Sequence, residues 1–259
     1  MKPLADLPAR GVRGVLFDID ETLTTEGRLT AQAYSAMESL KDAQLLVVPI
    51  TGRPAGWCDH IARMWPVDAV VGENGAFYFW HEAGRLGKRF VDDDATRAAK
   101  RARLGAIADR ILSAVPGCAL ASDQAYREAD LAIDFCEDVP ALPLAAAERI
   151  ADLMREAGLT AKISSIHVNG WFGDYDKLAT TRLLVRERFG LDLERDNASL
   201  VFAGDSPNDA PMFGFFERSV GVANVRRFAG RLAAEPKFVA RGESGAGFAE
   251  LAAHLLAGR

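Results

Sequence analysis

Short apolar runs alternate along the chain with segments whose apolar residues recur at helical spacing. Three runs have the length of buried parallel strands: residues 14–17, 47–50 and 200–204. Helical spacing follows the first run in Ala33, Met37 and Leu40, and the segments 53–64 and 178–189 read as helices. Strands that alternate with helices predict an α/β fold, with a Rossmann-like, three-layer core around a parallel sheet.

The pattern changes between residues 81 and 170. Two helix faces are marked by Leu104, Ile107, Ala108, Ile111 and Val115, and by Ile150, Leu153, Met154 and Ala157. Strand-like runs lie between and after them, at residues 131–135, 161–164 and 166–168. Two helices over a small, largely antiparallel sheet predict an inserted α+β cap domain. The predicted domains are a first core segment (1–80), the cap (81–171) and a second core segment (172–259).

Asn74-Gly75 separates two further apolar runs, residues 68–72 and 76–80. Asn-Gly between apolar runs is a strong hairpin signal, so we interpret Asn74 as a turn residue, although such a loop could also face the crevice of the sheet. Later segments complete the core with short strands and a closing amphipathic helix, at residues 219–222, 238–239 and 248–255.

Composition narrows the classes of protein. With 259 residues, of which 49% are hydrophobic and 26% charged, the chain can bury a large core. Its net charge of −5 comes without a basic stripe, so nucleic acid is not expected as a partner. The start of the chain lacks a signal-peptide core and no long apolar run occurs, which predicts a cytoplasmic protein without a membrane partner. The 3 scattered cysteines predict reduced thiols, and the oligomeric state is left open.

Acidic and hydroxyl side chains stand where the predicted strands end. In chain order they are Asp18, Asp20, Thr51, Asp205 and Asp209, and Lys177 at the start of a helix joins them. Because the carboxyl ends of parallel strands open on one edge of a sheet, these residues are expected to meet in space. Carboxylates are ligands that suit Mg²⁺, and an aspartate can attack phosphorus. The hydroxyl, a glycine amide and the lysine suit a phosphoryl group, so the set predicts phosphoryl transfer.

Four segments, in this order, resemble the motifs of the haloacid dehalogenase superfamily of phosphatases. They are residues 18–22 (DIDET), residues 51–53 (TGR), Lys177 and residues 204–209 (GDSPND). Residues 204–212 are most similar to the branch of mannosyl-3-phosphoglycerate, sucrose-phosphate and trehalose-phosphate phosphatases, whose C2-type (IIB) cap is inserted between the second and third motifs. The resemblance covers the two predicted core segments, and the middle matches only as an insertion of suitable size.

The resemblance implies a role for each motif residue. Asp18 would be the nucleophile, and Asp20 would be the general acid and then the base that activates water. Thr51 would hold the phosphoryl group, and Lys177 would orient Asp18 and neutralise developing charge. Mg²⁺ would be held by Asp18, Asp20 through its backbone carbonyl, Asp205 and Asp209. Thr22, Gly52, Arg53 and Asn208 would join Thr51 and Lys177 in contacting phosphate or substrate.

Glu21 departs from the motif, because many members of the family carry glycine at this place. The Asp-x-Asp-x-Thr requirement itself is kept by Asp18, Asp20 and Thr22. We therefore expect Glu21 to crowd the loop entrance and to affect substrate or rate, not the class of protein.

Substrate specificity is expected to lie in the cap. Arg127 is a candidate for a substrate carboxylate or second phosphate, or it is a surface arginine paired with Glu128 or Asp130. His167 and Asn169 alternate on one strand face and are candidates for sugar contacts, although each also reads as a structural residue.

The leading hypothesis is a Mg²⁺-dependent phosphatase of a small phosphorylated metabolite, with a sugar phosphate or phosphorylated glycoside as the substrate class that the resemblance implies. A phosphomutase or phosphotransferase would use the same chemistry with an acceptor hydroxyl in place of water. A binding module that uses the cluster as a phospho-acceptor is a further alternative. A nucleotide-dependent dehydrogenase is disfavoured, because the first strand is not followed by Gly-x-Gly-x-x-Gly.

Overall fold

The computed structural model describes residues 1–164 and 166–259, which form seven α-helices and thirteen β-strands. The strands are β1 (Lys2–Pro3), β2 (Gly14–Phe17), β3 (Leu46–Pro49), β4 (Val70–Gly72), β5 (Phe77–Glu82), β6 (Arg85–Phe90), β7 (Ala119–Leu120), β8 (Asp130–Asp134), β9 (Thr160–Ile163), β10 (His167–Trp171), β11 (Leu200–Gly204), β12 (Arg218–Gly221) and β13 (Phe238–Val239). The helices are α1 (Ala31–Asp42), α2 (Ala55–Met64), α3 (Asp94–Ala114), α4 (Leu144–Glu156), α5 (Lys177–Phe189), α6 (Ala210–Phe215) and α7 (Ser244–Ala257).

A six-stranded parallel sheet forms the core, in the order β1-β13-β12-β11-β2-β3. Helices α1 and α7 cover one face of the sheet, where Met37 and Phe248 are fully buried. Helices α5 and α6 cover the other face, where Leu184 and Phe213 are fully buried. The predicted three-layer α/β core is therefore confirmed, and the apolar runs form strands because both faces of the sheet are buried.

A second, antiparallel sheet β4-β5-β6 continues this core through a bridge between Ile50 and Val71. The turn at Asn74 joins β4 to β5 as the Asn-Gly signal predicts, and Phe90 of β6 pairs with Phe77 of β5. Apolar side chains of both strands pack on α2. The predicted boundary after residue 80 therefore falls inside β5, because this hairpin buries its apolar face against the core.

The cap consists of a four-stranded antiparallel sheet, β7-β8-β10-β9, covered by α3 and α4. Ile111 of α3, Ile150 of α4 and Ile133 of β8 meet in its separate apolar interior. The predicted inserted α+β domain of two helices over a small sheet is confirmed. Within residues 1–164 and 166–259, each helix is too short or too polar to cross a bilayer.

Candidate active site

The carboxyl ends of β2 and β11 lie side by side, because the two strands pair in register from Gly14 and Leu200 onwards. Asp18 follows β2 and its N–H donates to Ala203 O of β11. Lys177, the first residue of α5, donates from Nζ to Asp18 Oδ1 at 2.6 Å and to Asp209 Oδ1 at 3.1 Å. Three residues from different parts of the chain therefore meet as the motif order predicts.

Asp205 is held in place by two side chains. Thr22 Oγ1 donates to Asp205 Oδ1 at 3.3 Å, and Asn224 Nδ2 donates to Asp205 Oδ2 at 3.2 Å. Thr22 is fully buried and its hydroxyl positions a carboxylate, while the predicted contact of Thr22 with phosphate or substrate stays a prediction. Asn224 also donates to Glu21 O and accepts from Ser244 N, which ties the first motif to the end of the core.

The acidic cluster of Asp18, Asp205 and Asp209 offers three buried carboxylates, each with an oxygen within 4.8 Å of the others. Burial raises the pKa of Asp18 to about 7, and Asp209 and Asp20 act in the same direction, whereas Lys177 opposes them. Burial, followed by Asp209 and Asp18, also raises the pKa of Asp205 well above its usual range. One ammonium does not balance three carboxylates, so this donor set fits a hard divalent cation.

Lys177 keeps its charge in the same place. Burial alone would lower its pKa, but the carboxylates of Asp18 and Asp209 outweigh burial and raise it. The ammonium is therefore a fixed positive charge against the carboxylate of Asp18. Such a charge neutralises negative charge that develops during phosphoryl transfer without moving.

Asp20 and Arg53 form a bidentate ion pair beside the cluster. Arg53 Nε lies 3.1 Å from both Asp20 oxygens, and Arg53 Nη2 lies 2.8 Å from Oδ1. Asp18 and Asp20 line the same small cavity, and the Asp20 side chain is the more exposed of the two, at 25%. Glu137 of the cap lies 3.6 Å from Arg53 Nη1, which makes Glu137 a second partner for the same guanidinium.

Gly52, Arg53 and Asn208 line a small cavity above Asp18, as expected for residues that contact phosphate. Thr51 is fully buried beneath this loop, and its hydroxyl accepts from Arg53 N at 3.0 Å. The hydroxyl proton of Thr51 remains available to a phosphoryl oxygen only if that oxygen reaches below Gly52. The role of Thr51 stays a prediction.

Arg127 is buried, contrary to the expectation of a surface arginine. Its guanidinium pairs with Asp123 at 2.9 Å and with Asp130 at 2.9 Å, and Nη1 donates to Gly52 O at 3.1 Å. Burial alone would lower its pKa, but Asp130 and Asp123 raise it. Arg127 lines the small cavity, yet its guanidinium is already paired with two carboxylates, so it first of all fastens the cap to the core loop at Gly52.

His167 and Asn169 also line the small cavity, from the cap side. Asn169 Nδ2 donates to Asp130 at 3.0 Å, and His167 Nε2 lies 2.9 Å from the carboxylate of Glu137. The nearby imidazole and then Arg53 help to lower the pKa of Glu137. Both candidates therefore reach the site, but Asn169 is engaged by a neighbour within the cap.

Glu73 is a residue that the sequence reasoning missed. Its buried carboxylate accepts backbone N–H bonds from Ala55 of α2 and from Glu128, Ala129 and Asp130 of the cap. Burial and Asp130 raise the pKa of Glu73, while Arg127 and the N–H donors oppose them. These N–H groups come from both domains, so the Glu73 side chain joins core and cap.

One of the two missed residues carried a signal in the sequence, and the other did not. Glu73 precedes an Asn-Gly turn at the end of a strand, a place where an acidic residue in a β-rich run is unusual. Asn224 lies in a loop after β12, and only the pairing of β12 with β11 brings it to Asp205. No local pattern in the sequence marks it.

Glu21 adopts a left-handed backbone with φ of 57°. This conformation favours glycine, so backbone geometry explains why many related motifs carry glycine at this place. The expected crowding of the loop entrance by the Glu21 side chain is not needed to explain it. Its side chain points to Ser244, whose hydroxyl donates to Glu21 Oε2 at 3.2 Å.

Residues 15–96 match the family model of haloacid dehalogenase-like hydrolases. None of the curated proteins matches the chain by sequence. These residues contain the first two motifs and bear out the predicted resemblance, and with it the prediction of a hydrolytic enzyme.

Several solved structures share the fold. Protein 0175 of Thermoplasma acidophilum has a TM-score of 0.71 at 18% identity, covering 95% of this chain and 98% of that chain. The sucrose-phosphatase of Synechocystis sp., solved with sucrose and phosphate, has a TM-score of 0.64 at 16% identity, covering 94% and 98%. A subclass IIB sugar phosphatase of the superfamily has a TM-score of 0.58 at 13% identity, covering 88% and 93%. At these identities the likeness shows the fold, including the inserted cap.

Proposed function

We propose that this chain is a haloacid dehalogenase-like, Mg²⁺-dependent phosphatase that hydrolyses a small phosphorylated metabolite through an aspartyl-phosphate. The observation that carries the proposal is the buried contact of Asp18 with Lys177, next to Asp205 and Asp209, in a small cavity that Gly52 and Arg53 also line. A nucleophile, a fixed cation and a carboxylate donor set at one sheet edge are what phosphoryl transfer requires.

Asp18, Asp205 and Asp209 would hold Mg²⁺, together with the backbone carbonyl of Asp20. The ion would neutralise phosphoryl oxygens and one oxygen of Asp18. The excess of negative charge suits this site to a divalent cation. Burial and mutual repulsion raise the pKa of Asp18 and Asp205, and a bound divalent cation would lower both pKa values again.

The residues of the chain divide the reaction into two steps. In the first, an oxygen of Asp18 bonds to phosphorus, the bond from phosphorus to the leaving oxygen breaks, and Asp20 gives that oxygen a proton. In the second, Asp20 takes a proton from water, which attacks phosphorus and releases phosphate from Asp18. Lys177 keeps Asp18 oriented in both steps.

Arg53 has to loosen its hold on Asp20 during this cycle. Both oxygens of Asp20 accept from the guanidinium, so neither is free to pass a proton to a leaving group. Glu137 and the phosphoryl oxygens are the alternative partners within reach. Arg53 would therefore exchange partners when the substrate phosphate enters.

A sugar phosphate or phosphorylated glycoside is the proposed substrate class. Sugar phosphatases are among the structures that share the fold, and one was solved with sucrose and phosphate. A cytoplasmic location is part of the proposal, and cell fractionation would test it.

The test is release of inorganic phosphate from a panel of sugar phosphates, phosphoglycerates, nucleotides and phenyl phosphate, with Mg²⁺ or EDTA. We expect Mg²⁺-dependent turnover in the native protein and a loss of roughly 10³-fold or more in Asp18→Asn. Asp109→Asn, at an exposed position of α3, is the matched control and should keep its activity.

Phosphate that appears on an added sugar instead of in solution would replace hydrolysis by phosphotransfer. Absence of turnover across the panel from a folded, Mg²⁺-binding protein would overturn the proposed activity.

A further inference from the structure

The cavity above Asp18 is too small for more than the reacting group. Its volume is about 40 Å³, and Ile166 and His167 of the cap form part of its lining. A buried water needs roughly 10–15 Å³ by a comparable measure. The cavity therefore has room for about as many oxygens as a phosphoryl group carries, and the organic part of a substrate needs another place.

A second cavity of about 290 Å³ adjoins the first between core and cap, and we call it the side cavity. Asn74 and Asn208 line both cavities and so mark the passage between them. Leu178 and Met212 contribute apolar surface from the core, and Trp171 contributes surface from the cap. This space is large enough for a sugar ring.

Asn74 stands at the passage with an unused donor. Its backbone φ of 55° turns the chain at the end of β4. Its amide group packs against Gly52, and both Nδ2 and Oδ1 lie 3.2 Å from the position that a Cβ on Gly52 would take. The residue is 7% exposed, yet Nδ2 has no hydrogen-bond partner among the residues that the structure describes. A buried amide donor without a partner is costly unless a ligand or water completes it.

Tyr175, in the wall of the side cavity, is a second residue with a buried polar group that lacks a hydrogen-bond partner in the described part of the chain. Its hydroxyl is buried and lacks a hydrogen-bond partner within residues 1–164 and 166–259. Burial raises its pKa, and the carboxylates of Asp130 and Glu73 add to this, so the group stays an O–H that can donate. Two incomplete polar groups along one cavity point to a ligand that carries hydroxyl groups.

The charges around the side cavity disfavour an anionic ligand. Lys162 is its one lysine without an ion-pair partner in the described part of the chain, because Lys177 is already paired with Asp18 and Asp209. Asp174 and Asp176 line the same cavity and outweigh that charge. A second phosphate or a carboxylate of the substrate would be repelled by this excess of negative charge.

We propose that the side cavity binds the neutral, polyhydroxylated leaving group of the substrate, a sugar or polyol, and that the Asn74 amide donates a hydrogen bond to one of its hydroxyl oxygens. This proposal rests on the proposed phosphatase activity and names the substrate class of that same site. It moves sugar recognition from His167 and Asn169, which line the small cavity, to the turn after β4.

The first test replaces Asn74 by glycine, which removes the amide and keeps the left-handed backbone. kcat/KM is measured for the best hexose or polyol phosphate of the panel and for phenyl phosphate, whose leaving group has no further hydroxyl. We expect Asn74→Gly to lower kcat/KM for the sugar or polyol phosphate about tenfold more than for phenyl phosphate. Gln44→Gly, at an exposed residue with φ of 61°, is the matched control and should change neither value.

Equal losses with both substrates would overturn the proposal, because they would place the Asn74 donor on the phosphoryl group. An unchanged sugar-to-phenyl ratio would do the same. If Asn74→Gly does not fold, judged by circular dichroism, Asn74→Asp answers the same question, because aspartate tolerates the left-handed backbone and lacks the amide donor. Phenyl phosphate turnover that needs Asp18 keeps the proposed function standing whichever result Asn74 gives.

The second test concerns charge. A hexose bisphosphate should show kcat/KM at least tenfold below the matching hexose monophosphate. A preference for the bisphosphate, or for a phosphorylated carboxylate, would contradict a neutral leaving group.

Discussion

The core face of the site and its junction with the cap differ in how the oxygens of their buried carboxylates are hydrogen-bonded. At the core face, Asp18, Asp205 and Asp209 share one ammonium, that of Lys177. At the junction, Arg127 lies between two carboxylates, and the carboxylate of Glu73 accepts four backbone N–H groups.

This difference distinguishes a region that binds a ligand from a region that holds two domains together. A carboxylate whose oxygens are filled by N–H donors is complete without a ligand, so it serves to hold two parts of the chain together. An unbalanced cluster is costly on its own and is explained by what it binds. By the same reasoning, the Asn74 amide, whose Nδ2 lacks a hydrogen-bond partner among the described residues, is assigned to ligand binding. Arg127, whose guanidinium is fully paired, is assigned to holding core and cap together.

The largest effect is expected from Lys177→Met, which removes the single cation of the core face. Two buried carboxylates lose their partner, so we expect unfolding to become easier by about 3–5 kcal/mol. Activity should fall by roughly 10²–10³-fold or more, because a fixed charge at the reacting group is lost. Urea unfolding and phosphate release measure both effects, with the exposed Lys237→Met as the control. Native stability in Lys177→Met would contradict the described cluster.

Glu73→Gln tests the junction. The amide keeps one acceptor oxygen and turns an NH₂ group towards backbone N–H donors, so we expect a loss of about 2–3 kcal/mol in the free energy of unfolding. Glu128→Gln, at an exposed carboxylate that pairs with Arg101, is the matched control and should cost less than about 1 kcal/mol. Equal losses in the two variants would mean that Glu73 does not join the domains.

The two regions also differ in how far the sequence predicts them. Asp18, Asp205 and Lys177 could be placed because each stands at the end of a strand or the start of a helix, and parallel strands bring such positions to one edge. Glu73 and Arg127 could not, because their partners are backbone groups and acids of another domain. The domain boundary was placed too early for a related reason: β5 and β6 look like the start of an insertion until their packing on α2 is known.

Single residues show the same limit. Thr22 lies at the predicted place, but the structure turns its hydroxyl to Asp205 and not to the crevice. Asn74 reads as a turn residue and is one, yet its side chain also reaches the site, because the turn it makes is packed against Gly52. Turn chemistry is local, whereas contact with Gly52 depends on the bridge between Ile50 and Val71, which joins the two sheets.

A smaller effect sharpens the comparison through pH. The pKa of Asp18 is raised to about 7 and that of Asp205 is raised as well, so the folded protein binds protons more tightly than the unfolded chain. Without Mg²⁺, the contribution of these groups to stability is present at low pH and is lost as the pH rises from about 4 to about 7.

We expect the metal-free protein to lose about 1–3 kcal/mol of stability from this source between pH 5 and pH 8, relative to Asp18→Asn measured under the same conditions. Saturating Mg²⁺ should remove most of the difference. Unfolding curves at both pH values test this, and identical pH dependence in the two proteins would argue against an uncompensated cluster.

The smallest effect is expected at Glu21, where the core face stores backbone strain. Glu21→Gly relieves the left-handed conformation at φ of 57° but loses the hydrogen bond from Ser244. We expect a net gain of about 0.5 kcal/mol in stability. Glu26→Gly, at an exposed residue with φ of 51°, is the control for relief of strain alone and should gain slightly more. A loss of stability at Glu21 would show that its side-chain contact outweighs the strain.

The central claim is that the core face of the site forms an aspartyl-phosphate at Asp18. Rapid quenching, followed by mass spectrometry of the intact protein and its peptides, tests this claim most directly. With phenyl phosphate and Mg²⁺, Asp20→Asn should accumulate a phosphoryl adduct on Asp18, because the leaving group needs little acid help while the attack of water on the adduct does need the base. Turnover of phenyl phosphate by the native protein, with no adduct in either protein or with an adduct on another residue, would contradict the account.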